Sequence, residues 1–199
     1  MRRIVLIDGE NFVYSLRSLL AAEEEDRAPR SVISSLNVRG MLEELFSDNP
    51  PVEYLWFGAR MRVYDQTEKL EAKSRAAIAI QSAFVNFLQQ QRIQFIKVGY
   101  LRARESEPCE NCGDTTWKLA EKGVDVGLVV RMLSEANSDT ELVIVSSDTD
   151  LVPAFKAAKK LGARLMYVAH ENRPITSLSQ LSNTTRTITL PLVRKHDTL

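Results

Sequence analysis

Apolar residues along this chain fall into two periods. Five short runs rich in Val, Ile and Leu, at residues 2–8, 52–57, 93–98, 142–145 and 164–169, are nearly continuous in apolar character and bounded by polar residues. That pattern predicts strands buried on both faces of a parallel sheet. Between them apolar positions recur at helical spacing, and helices are expected over 12–22, 37–46, 67–91, 122–136 and 151–161, with a shorter one at 175–181. The longest carries Leu70, Ala77, Ile80, Phe84, Phe87 and Leu88 on one stripe, and Lys69, Lys73 and Arg75 on another face. Pro50-Pro51 and Gly162 supply two of the stops. Residues 23–35, 58–66 and 99–121 read as polar connections, 185–190 as an extra edge strand, and 191–199 as a short polar tail. Strands alternating with helices imply an α/β fold of three layers, α/β/α, around a central, mainly parallel sheet. One domain over 1–190 is expected, since the 199 residues contain no repeat and no polar linker.

Several of these elements begin or end in carboxylates. The run closing at 145 is followed by Ser146-Ser-Asp-Thr-Asp150, and the first strand ends at Asp8, followed by Gly9, Glu10 and Asn11. In open α/β sheets ligands bind at the carboxyl ends of strands, which is where Asp8, Asp148 and Asp150 would lie. Asp150 reads equally well as the N-cap of the helix that follows. In the helix over 122–136, Leu128, Val129, Met132, Leu133 and Ala136 form the core-facing stripe, and its backward extension reaches Asp125. A carboxylate opening an apolar face needs a compensating cation or solvent, unless it simply complements the helix dipole in the first turn. If the strands ending at 7 and 145 are neighbours, Asp8, Asp125, Asp148 and Asp150 converge, and four clustered acids call for a divalent cation. The ligands are all oxygen, which favours Mg2+ or Mn2+ over zinc and suits hydrolysis of a phosphodiester.

Composition narrows the partners. Lys plus Arg equal Asp plus Glu at 26 each, so there is no overall basic field, and binding of nucleic acid would need a local patch. Its candidates are Arg60, Arg62, Lys69, Lys73, Arg102, Arg104, Lys118 and Lys122, with Tyr64 or Trp117 to stack a base. Most surface charges are simply solvated, and about half of these are expected to be uninvolved. Lys122, just before Asp125, stands first, and Tyr14 and Arg17, just past Asp8, stand second. His170 reads as a polar loop residue. No apolar run approaches a membrane span and the first ten residues lack the apolar core of a signal peptide, so a soluble, cytoplasmic protein is expected. Cys109 and Cys112 have the spacing of half a zinc site, but no second pair exists and His170 and His196 are distant. Reduced thiols or an incomplete site is the favoured reading over a zinc site shared between subunits, and a homodimer stays open.

Taken together, Ile7-Asp-Gly-Glu-Asn11, Lys122-Gly-Val-Asp-Val126 and Ser146-Ser-Asp-Thr-Asp150 make the chain resemble the NYN-domain, LabA-like branch of the PIN-like ribonucleases over residues 2–190. The resemblance implies strand order 3-2-1-4-5 and a metal-dependent endoribonuclease site acting on RNA. It assigns Asp8, Asp125, Asp148 and Asp150 to the acidic cluster, Asn11 to an amide bonding across the site, and Ser146 to a hydroxyl that orients the turn. Ser147 departs from the glycine common in the family, which suggests a displaced turn. Two other readings remain. A haloacid-dehalogenase-type phosphatase would need Asp where Glu10 stands, and a module of the same fold would bind RNA and metal without turnover.

Overall fold

The structure, a computed structural model, describes residues 1–21, 33–46, 52–108 and 115–197. Most of the connection expected at 23–35, the Pro50-Pro51 stop and the Cys109/Cys112 pair lie outside the described residues.

Seven strands form one sheet. They are β1 (Arg2–Asp8), β2 (Val52–Arg60), β3 (Gln94–Glu105), β4 (Trp117–Lys122), β5 (Thr140–Val145), β6 (Arg164–His170) and β7 (Thr184–Ile188), in the order β4-β3-β2-β1-β5-β6-β7. The inner five reproduce the expected 3-2-1-4-5 arrangement, all parallel. β7 supplies the anticipated extra edge, also parallel. β4 was not anticipated. It lies inside the stretch read as a polar loop, runs antiparallel to β3, and accompanies an extension of β3 well past residue 98.

Helices cover both faces. On one side α1 (Gly9–Ala21), α2 (Val38–Glu44), α3 (Glu68–Gln90) and α7 (Leu190–His196) pack with Val5, Ile7, Val143 and Val145. On the other, α4 (Val124–Glu135), α5 (Val152–Lys160) and α6 (Thr176–Leu181) pack with Ile4, Leu6, Leu142 and Ile144. The alternation is the two-residue period of a strand, so Asp8 and Ser146, each two residues beyond a side chain of the α4 face, continue that face. The pairing Ile7↔Val145 sets their two turns side by side at the carboxyl edge.

Some local expectations are corrected. Within the tail read at 191–199, residues 191–196 belong to α7, capped by Thr189, whose side chain accepts from the Leu192 amide, with Val193 fully buried. α4 starts at Val124, not at Lys122, because Lys122 ends β4 and Gly123 adopts the left-handed conformation between them. His170 is not a loop residue: it ends β6, fully buried and edge-on to Phe12. Tyr64 is buried and donates its hydroxyl to the Leu101 carbonyl, so it cannot stack a base. The stripe of α3 is only partly sealed: Leu70 and Leu88 are buried, whereas Ile80 is 49 % exposed. Between α3 and the sheet lies a cavity of about 370 Å³.

Candidate acidic metal centre

Asp8 is buried at 4 % exposure, and both of its carboxylate oxygens are held. Oδ1 accepts from the Asn11 backbone N–H at 3.2 Å and Oδ2 from the Ser146 hydroxyl at 2.9 Å. Burial pushes its pKa up to about 6 against the lowering effect of these two hydrogen bonds, and the charges of Asp125 and Asp148 add to the rise. Ser146 Oγ also accepts from the Asp148 N–H at 3.2 Å, so one hydroxyl orients two of the acids.

Asp148 caps the 3-10 turn Thr149–Leu151, its Oδ1 accepting from the Asp150 N–H at 2.9 Å. The cap is therefore Asp148; Asp150 is exposed within the turn. Asp125 stands in the first turn of α4. It is exposed beside the buried stripe, which begins one residue earlier at Val124 and continues through Leu128 and Met132. Burial and then the charges of Asp148 and Asp150 raise its pKa.

Asp8, Asp125 and Asp148 each offer a carboxylate oxygen, all lying within 4.8 Å of one another. Three acids from the ends of β1 and β5 and the start of α4 thus meet at one rim of the sheet. Asp150 falls outside that group, although its charge reaches Asp125. The donor set fits a hard divalent cation. It is all oxygen, its spacing lets one ion touch each side chain, and the pKa values of Asp8 and Asp125, raised first by burial and then by neighbouring carboxylates, mark charges that such an ion would stabilise.

Asn11 ties the two turns together, its Oδ1 accepting from the Ser147 N–H at 2.7 Å. The serine at 147 is accommodated. Among the described residues only Arg92 has positive φ outside glycine, so position 147 needs no glycine backbone. Its side chain turns to the α1 face, where the Ser15 hydroxyl donates to it at 3.3 Å. Gly9 does require its missing side chain, because a Cβ there would collide with the Trp56 indole and the Phe57 carbonyl.

The other residues predicted for the site lie outside the group of three aspartates. Lys122 is exposed at the end of β4, Tyr14 is exposed on α1 with the Arg173 guanidinium 4.7 Å from its ring centre, and half-buried Arg17 lines the cavity beneath α3. Glu121 was missed. It is half-buried on β4 and lines the same cavity with Gly9, Glu10 and Trp56. Burial, then the charges of Glu10, Asp8 and Asp125, push its pKa up to about 8. Trp117-Lys-Leu119 begins the apolar–polar alternation of a strand, but Ala120 and Glu121 break it, so the sequence carries only a fragment of that signal.

The model of the NYN domain family matches residues 2–190. The chain belongs to the NYN domain family. NYN domains are in general members of a nuclease superfamily, and this one carries an acidic group of three aspartates on a mixed, mostly parallel α/β sheet. Among solved structures, this NYN domain is similar to a protein of unknown function from Vibrio parahaemolyticus, at 13 % identity over 95 % of this chain and 93 % of that one, with a TM-score of 0.59. That likeness concerns the fold alone. A phosphofructokinase-2 mutant from Escherichia coli aligns at 14 % identity over 69 % of this chain and 42 % of that one, with a TM-score of 0.37, too low to bear on fold or function. No curated protein matches. No helix among the described residues is long and apolar enough to cross a membrane.

Proposed function

We propose that this NYN domain is a metal-dependent endoribonuclease that hydrolyses RNA phosphodiester bonds, with Mg2+ or Mn2+ as its cation. The observation that carries the reading is the meeting of Asp8, Asp125 and Asp148 within 4.8 Å at the carboxyl rim of the sheet. These three would hold the ion, with Asp150 at the margin of the group. When bound, a divalent cation there polarises the phosphate and lowers the pKa of a neighbouring water. The residues of the chain do the rest. Ser146 and the Asn11 amide fix both oxygens of Asp8, so that this carboxylate is preorganised. Asn11 holds the β5 turn against the β1 turn, which keeps Asp148 in register. Lys122, Tyr14 and Arg17 are the groups assigned to hold the RNA, exposed Lys122 by phosphate contact and exposed Tyr14 by stacking. Water is the nucleophile, with no covalent intermediate.

The test is cleavage of labelled RNA by Asp8→Asn, Asp125→Asn and Asp148→Asn proteins. Each is expected to lose at least about a hundredfold in rate with Mg2+ or Mn2+ while keeping its circular dichroism spectrum. Wild-type rates in two of the three would refute the assignment. The competing reading, a module that binds RNA without turnover, predicts retention of RNA with no products that disappear on adding EDTA.

A further inference from the structure

We propose that the exposed face of the β3–β4 ribbon is a holding surface for single-stranded RNA that leads to the acidic group; from the reading above it takes only that RNA is the ligand. The strands pair antiparallel with Tyr100 opposite Lys122, Arg102 opposite Ala120 and Arg104 opposite Lys118. Opposed residues share a face, as do alternate residues along each strand, so Tyr100, Arg102, Arg104, Lys118 and Lys122 form one strip. All five are exposed, whereas Leu101, Ala103, Leu119 and Glu121 of the other face are half-buried. Elsewhere Arg2, Arg39, Arg75, Arg131 and Lys195 pair with carboxylates. Arg102, Arg104, Lys118 and Lys122 have no such partner among the described residues. In a chain whose formal charge sums to zero, this strip therefore concentrates uncompensated positive charge.

The strip has a direction. Its inner end, Lys122, is followed by Gly123 and the first turn of α4 that bears Asp125. Gly99 holds this junction closed, since a Cβ at that position would collide with the Lys122 carbonyl. Arg104 and Lys118 mark the outer end. Alternate strand residues lie roughly 6.6 Å apart, comparable with successive phosphates of an extended strand. Tyr100, 49 % exposed, offers a ring on which an unpaired base can stack. A single strand is favoured over a duplex because the deep, narrow major groove of A-form RNA does not admit side chains, and a duplex has no free base to stack.

The experiment follows the full chain in EDTA, so that no cation-dependent cleavage occurs, and titrates it with labelled single-stranded RNA by fluorescence anisotropy over a salt series. Arg102→Gln with Arg104→Gln is expected to weaken binding roughly tenfold and to reduce the slope of log K against log salt by about 1.4, and Lys118→Gln to reduce it by about 0.7. Neutralising Lys156 and Lys160 on α5, exposed on another part of the surface, is the control and should change neither. Circular dichroism checks that each variant is folded. An unchanged slope in the arginine pair, an equal loss in the α5 pair, or tighter binding of duplex than of single-stranded RNA overturns the proposal. Wild-type protein that binds with the expected slope yet never cleaves with Mg2+ or Mn2+ would defeat the nuclease reading and leave the ribbon standing. Cleavage with an unchanged slope in the arginine pair would do the reverse.

Discussion

At Asp8 two opposed effects meet in one side chain. Burial favours the protonated acid, and the Ser146 hydroxyl and Asn11 amide favour the carboxylate that a cation would need. Removing the hydroxyl should let burial win. In Ser146→Ala the acid limb of the pH–rate profile is expected to move to higher pH, and weaker binding of Mn2+ by titration calorimetry should accompany it; an unmoved limb would show that the hydroxyl does not tune Asp8. Ser147 and Asn11 form a contrasting pair. Ser147→Gly keeps the backbone N–H that bonds to Asn11, so activity should stay within about threefold of wild type. Asn11→Ala leaves that N–H without its partner, at a cost of about 1–3 kcal/mol, and should slow cleavage roughly tenfold or more. Equal effects of the two changes would remove the tie between the turns. Asp8, Asp125 and Asp148 were legible in the sequence because each sits at a strand end or helix start. Glu121 was not, because a lone acid in a polar stretch has no meaning until its strand is placed beside the others.

At the level of elements, the misread segments share a cause. β4 and α7 are short, and apolar and charged residues are mixed within each, so neither completes enough repeats of its period to rise above its surroundings. What makes β4 a strand is the ladder to β3, and what makes α7 a helix is the Thr189 cap together with docking of Val193 into the core beside α2. The α7 docking can be measured. Val193→Ala should destabilise by about 2 kcal/mol, lowering Tm by about 4–8 °C in a thermal melt. A loss under about 0.5 kcal/mol would return this segment to the status of a tail. At α3 the converse holds: a clear apolar stripe is present, yet the helix stands off enough to leave a cavity and Ile80 exposed. A stripe reports which side of a helix turns inward but not how closely it approaches.

Across the whole molecule the buried titratable groups act on stability in different pH windows. Asp8, raised from 3.8 to about 6, and Glu121, raised from 4.5 to about 8, bind protons more tightly when folded, so their contribution is present below the ordinary value and lost as pH rises through the raised one. His170, lowered from 6.5 to about 4, acts oppositely, its contribution being present above 6.5 and lost as pH falls toward 4. Asp8 and His170 therefore offset each other in acid, and above about pH 6.5 Glu121 dominates. In EDTA the Tm is expected to fall by a few degrees between about pH 6.5 and about pH 8.5, and Glu121→Gln should flatten that slope. Saturating Mg2+ or Mn2+ should raise the Tm, by about 3 kcal/mol equivalent at a hundredfold excess over Kd, and more at the alkaline end. A flat profile in EDTA, or no rise with either ion, would count against the acids acting as one electrostatic unit. The sequence alone determined the alternation of strands and helices, the five parallel inner strands and the identity of the principal acids, because burial period and position on an element are local properties of the chain. Only the tertiary structure decided that Asp150 stands outside the closest group, that Ser147 fits against Ser15, that Glu121 joins the acids and that the free cations of β3 and β4 align. Each of these depends on the register and facing of segments far apart in sequence, which no local pattern encodes.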